Sequence, residues 1–152
     1  NILQVIQKYV QSERKSCEAG GILIGRENCG NSNLIIEFIT EPMTADQRSR
    51  NRFLRKDKRH LDFFKKLYEE NEGVYGYMGE WHTHPENIPQ YSFIDSNNWK
   101  KIGKEMKGGI QYHIIAGIQE VGIWEYNAVQ KRITKICSID WKGILKENET
   151  II

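Results

Sequence analysis

A chain of 152 residues is the size of one compact domain, spanning 1–152, and can bury a core without disulfide staples. At 39% apolar and 28% charged, the composition excludes a disordered or fibrous chain. With 22 basic and 20 acidic residues, the net charge of +2 implies neither nucleic acid nor a membrane surface as partner. No run approaches the roughly twenty apolar residues a bilayer span needs. "NILQVIQKYVQSERK" lacks the basic start and long apolar centre of a signal peptide. Cys17, Cys29 and Cys137 are odd in number and form no CxxC pair, as expected of inert thiols in a reducing, cytoplasmic setting.

Ile2, Val5, Ile6 and Val10 recur at helical spacing and predict an amphipathic helix over 2–12. "GGILIG" (20–25) and "NLIIEFITE" (33–41) are apolar, β-branched runs joined by the turn residues "RENCGNSN", which predicts a hairpin ended by Pro42. Residues 43–56 have no period and read as a long loop. In "DKRHLDFFKKLYEENEG", Leu61, Phe64, Leu67 and Tyr68 share a face and Gly73 follows the end, predicting a second helix. "VYGYMGEWHTH" (74–84) predicts a strand broken by Pro85. "SFIDSNNWKKIGKEMKGG" predicts a helix stopped by Gly108 and Gly109. "IQYHIIAGIQ", "VGIWEYN" and "VQKRITKICSID" predict a three-strand meander, with a short C-terminal helix or tail after it. The order α-β-β-α-β-α-β-β-β describes an α/β (α+β-like) sandwich with a mixed sheet.

Alternate residues of a strand share a face, so His82 and His84 aim their imidazoles together at the end of the 74–84 strand. Zinc takes nitrogen and carboxylate ligands in a tetrahedral shell, and a catalytic site keeps one position open for water. His82, His84 and Asp95 offer two nitrogens and one oxygen, enough for one Zn2+ ion. The plainer account of "SFID" is a capping box, with Ser92 as N-cap and Asp95 at the third helical position. A hydrolase also needs a base and a group to steady the oxyanion. Glu18, an acid directly before a buried glycine-rich strand, is poorly explained by packing and is the candidate base. Glu80 and Glu86 are rivals by proximity, Glu80 alternating in phase with the histidines and so placed to support them. Ser92, on the same helical face as Asp95, is the candidate for the oxyanion.

Glu18 before "GGILIG", "HTHP" at 82–85, six residues, Ser92, two residues and Asp95 together resemble the signature of the JAB/MPN (JAMM) metalloprotease family. The resemblance covers about residues 15–127. It implies a cytidine-deaminase-like sandwich, Zn2+ on His82, His84 and Asp95, Glu18 as general acid/base and Ser92 as oxyanion stabiliser. A deaminase itself would need a PCxxC pair beside its HxE, and the chain has no CxxC. "RSRNRFLRKDKRH" followed by "YMGEWHTHP" is further similar to the small bacterial JAB proteins of anti-phage CBASS operons, and of related ubiquitin-like operons. Those relatives imply a deubiquitinase-like isopeptidase that cuts the conjugated C-terminal tail of a cyclic-nucleotide synthase, or of a ubiquitin-like protein, from a lysine. Two other readings stand beside this one: an MPN scaffold that only docks partners, which typically lacks one of the ligands, and a peptidase for sulfur-carrier tails.

An extended tail is readily held at an exposed sheet edge. Arg48, Arg50, Arg52 and Arg55 in the 43–56 segment are candidates to grip it, against the plainer view of a solvated basic loop. With Phe53 the only aromatic among them, the run does not fit a nucleic-acid surface. Trp81 points away from His82 and reads as core; His60 and His113, lacking partners at ligand spacing, read as structural.

Overall fold

The computed structural model describes residues 1–28, 30 and 33–144. Cys29 and the end of the expected C-terminal segment, 145–152, lie outside them. Eleven elements follow one another: α1 (Ile2–Gln7), β1 (Gly20–Glu27), β2 (Leu34–Ile39), β3 (Gln47–Ser49), β4 (Arg52–Leu54), α2 (Arg59–Glu70), β5 (Gly76–Thr83), α3 (Phe93–Glu105), β6 (Ile110–Ala116), β7 (Glu120–Asn127) and β8 (Arg132–Asp140). This is the expected α/β architecture, with a six-stranded mixed sheet ordered β2-β1-β5-β6-β7-β8. β5 and β6 pair in parallel, with α3 as the crossover that parallel neighbours require; the other pairs in that sheet are antiparallel.

Alternation along the strands feeds two apolar layers. On one face Leu23, Trp81, Ile114 and Val121 bury against Ile6 of α1 and against Trp141 and Ile144. Trp81 is thus core, as its phase predicts, and its indole N–H donates to the Thr40 carbonyl at 2.9 Å. On the other face Ile115, Trp124 and Tyr126 bury against Trp99 of α3. The Trp99 ring stacks on His113, 4.3 Å between centroids and 8° from parallel. Burial drives the His113 pKa down to about 3, helped by His82 and opposed by Asp95, so this ring is neutral packing material.

The structure departs from the sequence reading in three places. Residues 43–56 are no loop: β3 and β4 pair as a short hairpin through Arg48 and Phe53. Three-residue strands are too short to carry a periodic signal, β3 being exposed and polar and β4 half-buried at Phe53 and Leu54, and what holds this hairpin is tertiary. Asp46 accepts the N–H groups of Met43, Lys56 and Asp57 and meets His60 Nε2 at 2.7 Å. The other nitrogen of His60 meets the Thr40 hydroxyl. That buried histidine also sets the roll of α2, so Phe64 and Leu67 face inward while Leu61 and Tyr68 are exposed. Finally, α1 ends at Gln7 rather than near residue 12. Bonds of 3-10 type bring Tyr9 and Val10 round, and Gln11 turns inward to hold the Ser16 and Arg50 carbonyls.

Candidate metal centre

The parallel β5–β6 pair ends where β1 begins, and a sheet offers its ligand crevice at such a switch of strand direction. In the β1–β5 register Gly20 stands opposite His82. Continuing that ladder outward by two residues brings Glu18 opposite His84, with Thr83 N–H bonded to the Ala19 carbonyl at 2.9 Å. The segment 85–91 then runs along the β6–β7 turn, where Ile118 and Gln119 donate to the Glu86 and Asn87 carbonyls. This anchoring returns the chain to the strand end at Ser92.

There the capping box and the candidate ligand set meet in one residue, Asp95. Ser92 Oγ accepts the Asp95 N–H at 3.1 Å and Asp95 Oδ2 accepts the Ser92 N–H at 2.6 Å. Asp95 Oδ1 lies 3.1 Å from His82 Nε2, Asp95 Oδ2 lies 3.3 Å from His84 Nε2, and the two Nε2 atoms are 3.0 Å apart. Bonds of about 2.0 Å in a tetrahedral shell put neighbouring ligand atoms roughly 3.3 Å apart. Two imidazole nitrogens and a carboxylate at this spacing fit a divalent cation such as zinc. His84 Nδ1, buried and without a hydrogen bond, has the Glu86 carboxylate 3.9 Å away, on the side from which a ligating histidine is usually oriented.

Electrostatics follow from the burial. Asp95 is charged despite burial, because His82, His84 and the Ser92 N–H hold its carboxyl far below the usual range. His84 is displaced upward: burial works against its charge, but Asp95, Glu18 and Glu86 outweigh it. Glu18 is 5% exposed, and burial pushes its carboxyl up to about 7 against the pull of His82 and His84. A carboxyl poised near neutrality suits a group that takes and returns protons. The rivals are otherwise engaged. Glu80 accepts bonds from Arg55, Tyr77 and Asn98, and the Glu86 side chain is half exposed on the loop.

A cleft of about 740 Å³ opens over these groups, with Phe53, Trp99 and Ile94 among its apolar walls. Of the four candidate arginines, Arg52 and Arg55 line it. Arg48 instead donates to the Glu18 and Cys17 carbonyls, and Arg50 to those of Glu13 and Arg14, so both fasten the chain leading into β1. The hairpin also reaches the base directly. The Ser49 carbonyl accepts the Glu18 N–H at 2.8 Å, and the backbone of Phe53 works to lower the Glu18 pKa against its burial. Phe53 lies over Gly20, where an added Cβ would fall 2.5 Å from the ring. Sequence reading missed this role of Phe53. A glycine opposite an aromatic was its only trace.

Two helix-flanked layers on a mixed sheet, with histidines and an acid at the strand switch, define an α/β protein whose His82, His84 and Asp95 could hold a metal ion. Residues 4–129 match the family described as prokaryotic homologs of the JAB domain, and the chain belongs to it. Three curated relatives are called "CD-NTase/cGAS isopeptidase". The chain is 38% identical to the one from Escherichia coli (strain TW11681) over 64% of its own length and 62% of the relative's. For Pseudomonas aeruginosa (strain BWHPSA011 / Pa011) the figures are 31%, 69% and 65%. For Vibrio cholerae serotype O1 they are 32%, 66% and 64%. The matched part thus spans a little under two thirds of each relative. A Desulfitobacterium hafniense protein solved in solution shares the fold, with a TM-score of 0.57 at 17% identity, over 89% of this chain and 84% of that one. Among the described residues no helix is long and apolar enough to cross a membrane.

Proposed function

We propose that residues 1–152 act as one JAB-type domain that hydrolyses an isopeptide bond with a single zinc ion on His82, His84 and Asp95. The observation that carries this reading is the convergence of those three side chains, with the buried Glu18 carboxyl beside them. When bound, zinc supplies a polarised water at neutral pH and a Lewis-acidic contact for the scissile carbonyl. Glu18 takes the proton from the attacking water and passes it to the leaving lysine amine. Ser92 is free to assist, because in the capping box its oxygen is the acceptor and its hydroxyl proton remains available for the carbonyl oxygen. Water attacks directly, so Cys17 forms no acyl intermediate.

The relatives' name, "CD-NTase/cGAS isopeptidase", supports a CD-NTase conjugate as substrate; on our reading the bond cut joins the C-terminal tail of that cyclic-nucleotide synthase to a target lysine, in a bacterial anti-phage system of the cytoplasm. Phe53, Arg52 and Arg55 line the cleft where that tail would lie. The deciding experiment gives purified protein two fusions, one carrying a synthase tail ahead of a reporter and one carrying a ubiquitin-like tail, with and without chelator. Chelator-sensitive cutting of the synthase fusion is the expected result. Cutting confined to the ubiquitin-like fusion would transfer the enzyme to that system. Two intact fusions alongside bound zinc would refute the isopeptidase.

A further inference from the structure

β5 is not a regular strand. Its pairing with β1 slips between Leu23 and Ile24, so that Gly79 and Tyr77, not Gly79 and Met78, take successive partners. Such a bulge spends one residue and reverses the phase before it. Gly79 sits at the slip with φ +149, and a Cβ there would fall 1.7 Å from the Tyr112 carbonyl oxygen, so only glycine fits. The result is that Tyr77 joins Glu80 and His82 on the cleft face, where a regular strand would have turned it away.

Glu80 then collects three donors, from its own strand β5, from α3 and from the residue that follows β4. Its Oε1 accepts Arg55 Nε at 2.9 Å and the Tyr77 hydroxyl at 3.0 Å; its Oε2 accepts Asn98 Nδ2 at 3.2 Å. Arg55 follows the hairpin that holds Glu18, and Asn98 is one turn beyond Asp95 on the same face of α3. The carboxylate therefore ties the strand of the histidines to the helix of the aspartate and to the hairpin of the base.

We propose that Glu80 is a positioning residue of the metal centre, and that its bond to Asn98 sets the roll of α3 and with it the aim of Asp95. The inference rests on the reading of His82, His84 and Asp95 as ligands. Its reach is through the helix. Ser92 and Asp95 fix the start of α3 locally and Trp99 and Ile102 hold its apolar face, while the Asn98–Glu80 bond adds a polar tie on the side that carries Asp95.

The test is cobalt or zinc affinity by chelator competition, with the cobalt absorption spectrum as a report on geometry. Glu80→Gln removes the charge and replaces one of the two acceptor oxygens by a donor, with little change of shape. Asn98→Ala cuts only the α3 arm, at an exposed helical position where alanine favours the helix. Both variants are expected to bind metal about tenfold more weakly, with a shifted cobalt spectrum and a kcat that falls while KM holds. The thermal midpoint of metal-free Asn98→Ala should match wild type, which a merely structural role would not combine with lost affinity. Wild-type affinity and spectrum in Asn98→Ala would overturn the positioning role, even if Glu80→Gln failed to fold. Wild-type protein that takes up neither metal would instead overturn the metal centre, and this inference with it.

Discussion

Replacing Ser92 by alanine separates two duties of one oxygen. As N-cap, Ser92 Oγ accepts the Asp95 N–H at 3.1 Å, and losing such a cap costs about 1 kcal/mol. Only half of the box goes, because the bond from the Ser92 backbone N–H to Asp95 Oδ2 survives the substitution. In a domain of this length that loss lowers the thermal midpoint by roughly 2–4 °C. Removing an oxyanion donor is larger, about a 10²–10³-fold drop in kcat, or roughly 3–4 kcal/mol in the transition state. Thermal unfolding and steady-state cleavage of the conjugate, run on Ser92→Ala and Ser92→Thr, distinguish the two. The threonine variant keeps both the acceptor and the hydroxyl proton and should retain most of each property. A kcat lowered by no more than about fivefold in Ser92→Ala would match the cap loss alone and refute a direct role for the hydroxyl.

Glu18→Gln should lower turnover by about 10²–10⁴-fold while leaving metal content and midpoint close to wild type, read by metal analysis and calorimetry; an active variant would remove Glu18 from the mechanism. Added zinc at about a hundred times its dissociation constant should stabilise the protein by roughly 2.7 kcal/mol, and His82→Ala should abolish that shift. Arg52→Ala should raise KM with kcat little changed, and a fall in kcat alone would show that Arg52 is not a binding contact. Asp46 gives a pH prediction. Burial opposes its charge, but the N–H groups of Asp57 and Met43 and the ring of His60 outweigh this and hold its pKa below the ordinary value. Its stabilisation is therefore complete well above the unfolded value of about 4 and lost as pH falls below it. Asp46→Asn should lower the urea midpoint clearly at pH 7 and much less near pH 3, and an equal cost at both would contradict the assignment.

The parts legible in the sequence are those whose chemistry is local. α3 announces itself through Ser92 and Gly108, the meander through alternating apolar residues, and the candidate ligands through "HTHP" and "SFID" at strand and helix boundaries. What stayed hidden is held by distant partners. The β3–β4 hairpin depends on His60 and Thr40, a buried pair that no hydrophobic pattern flags, and the same histidine rolls α2 away from its apparent apolar face. Arg48, Arg50 and Arg55 read as a basic run, but their donors turn inward onto carbonyls and Glu80 because the hairpin folds back on the start of β1. The bulge at Gly79 left one trace, a glycine in a strand, and its consequence for Tyr77 emerges only once the pairing with β1 is known.

The origin of the site's parts along the chain bears on when it becomes active. The ligands lie within residues 82–95, one strand end, one loop and one helical turn, so the cation can be gathered by a short, quickly closing segment. The base comes from elsewhere. Glu18 reaches them through β1, whose junction with β5 joins Ala19 to Thr83 across 64 residues of chain. Contacts that distant form late. On the proposed reading, a molecule in which β1 has not joined β5 lacks its proton acceptor, and closure of that strand pair is what brings Glu18 to the site.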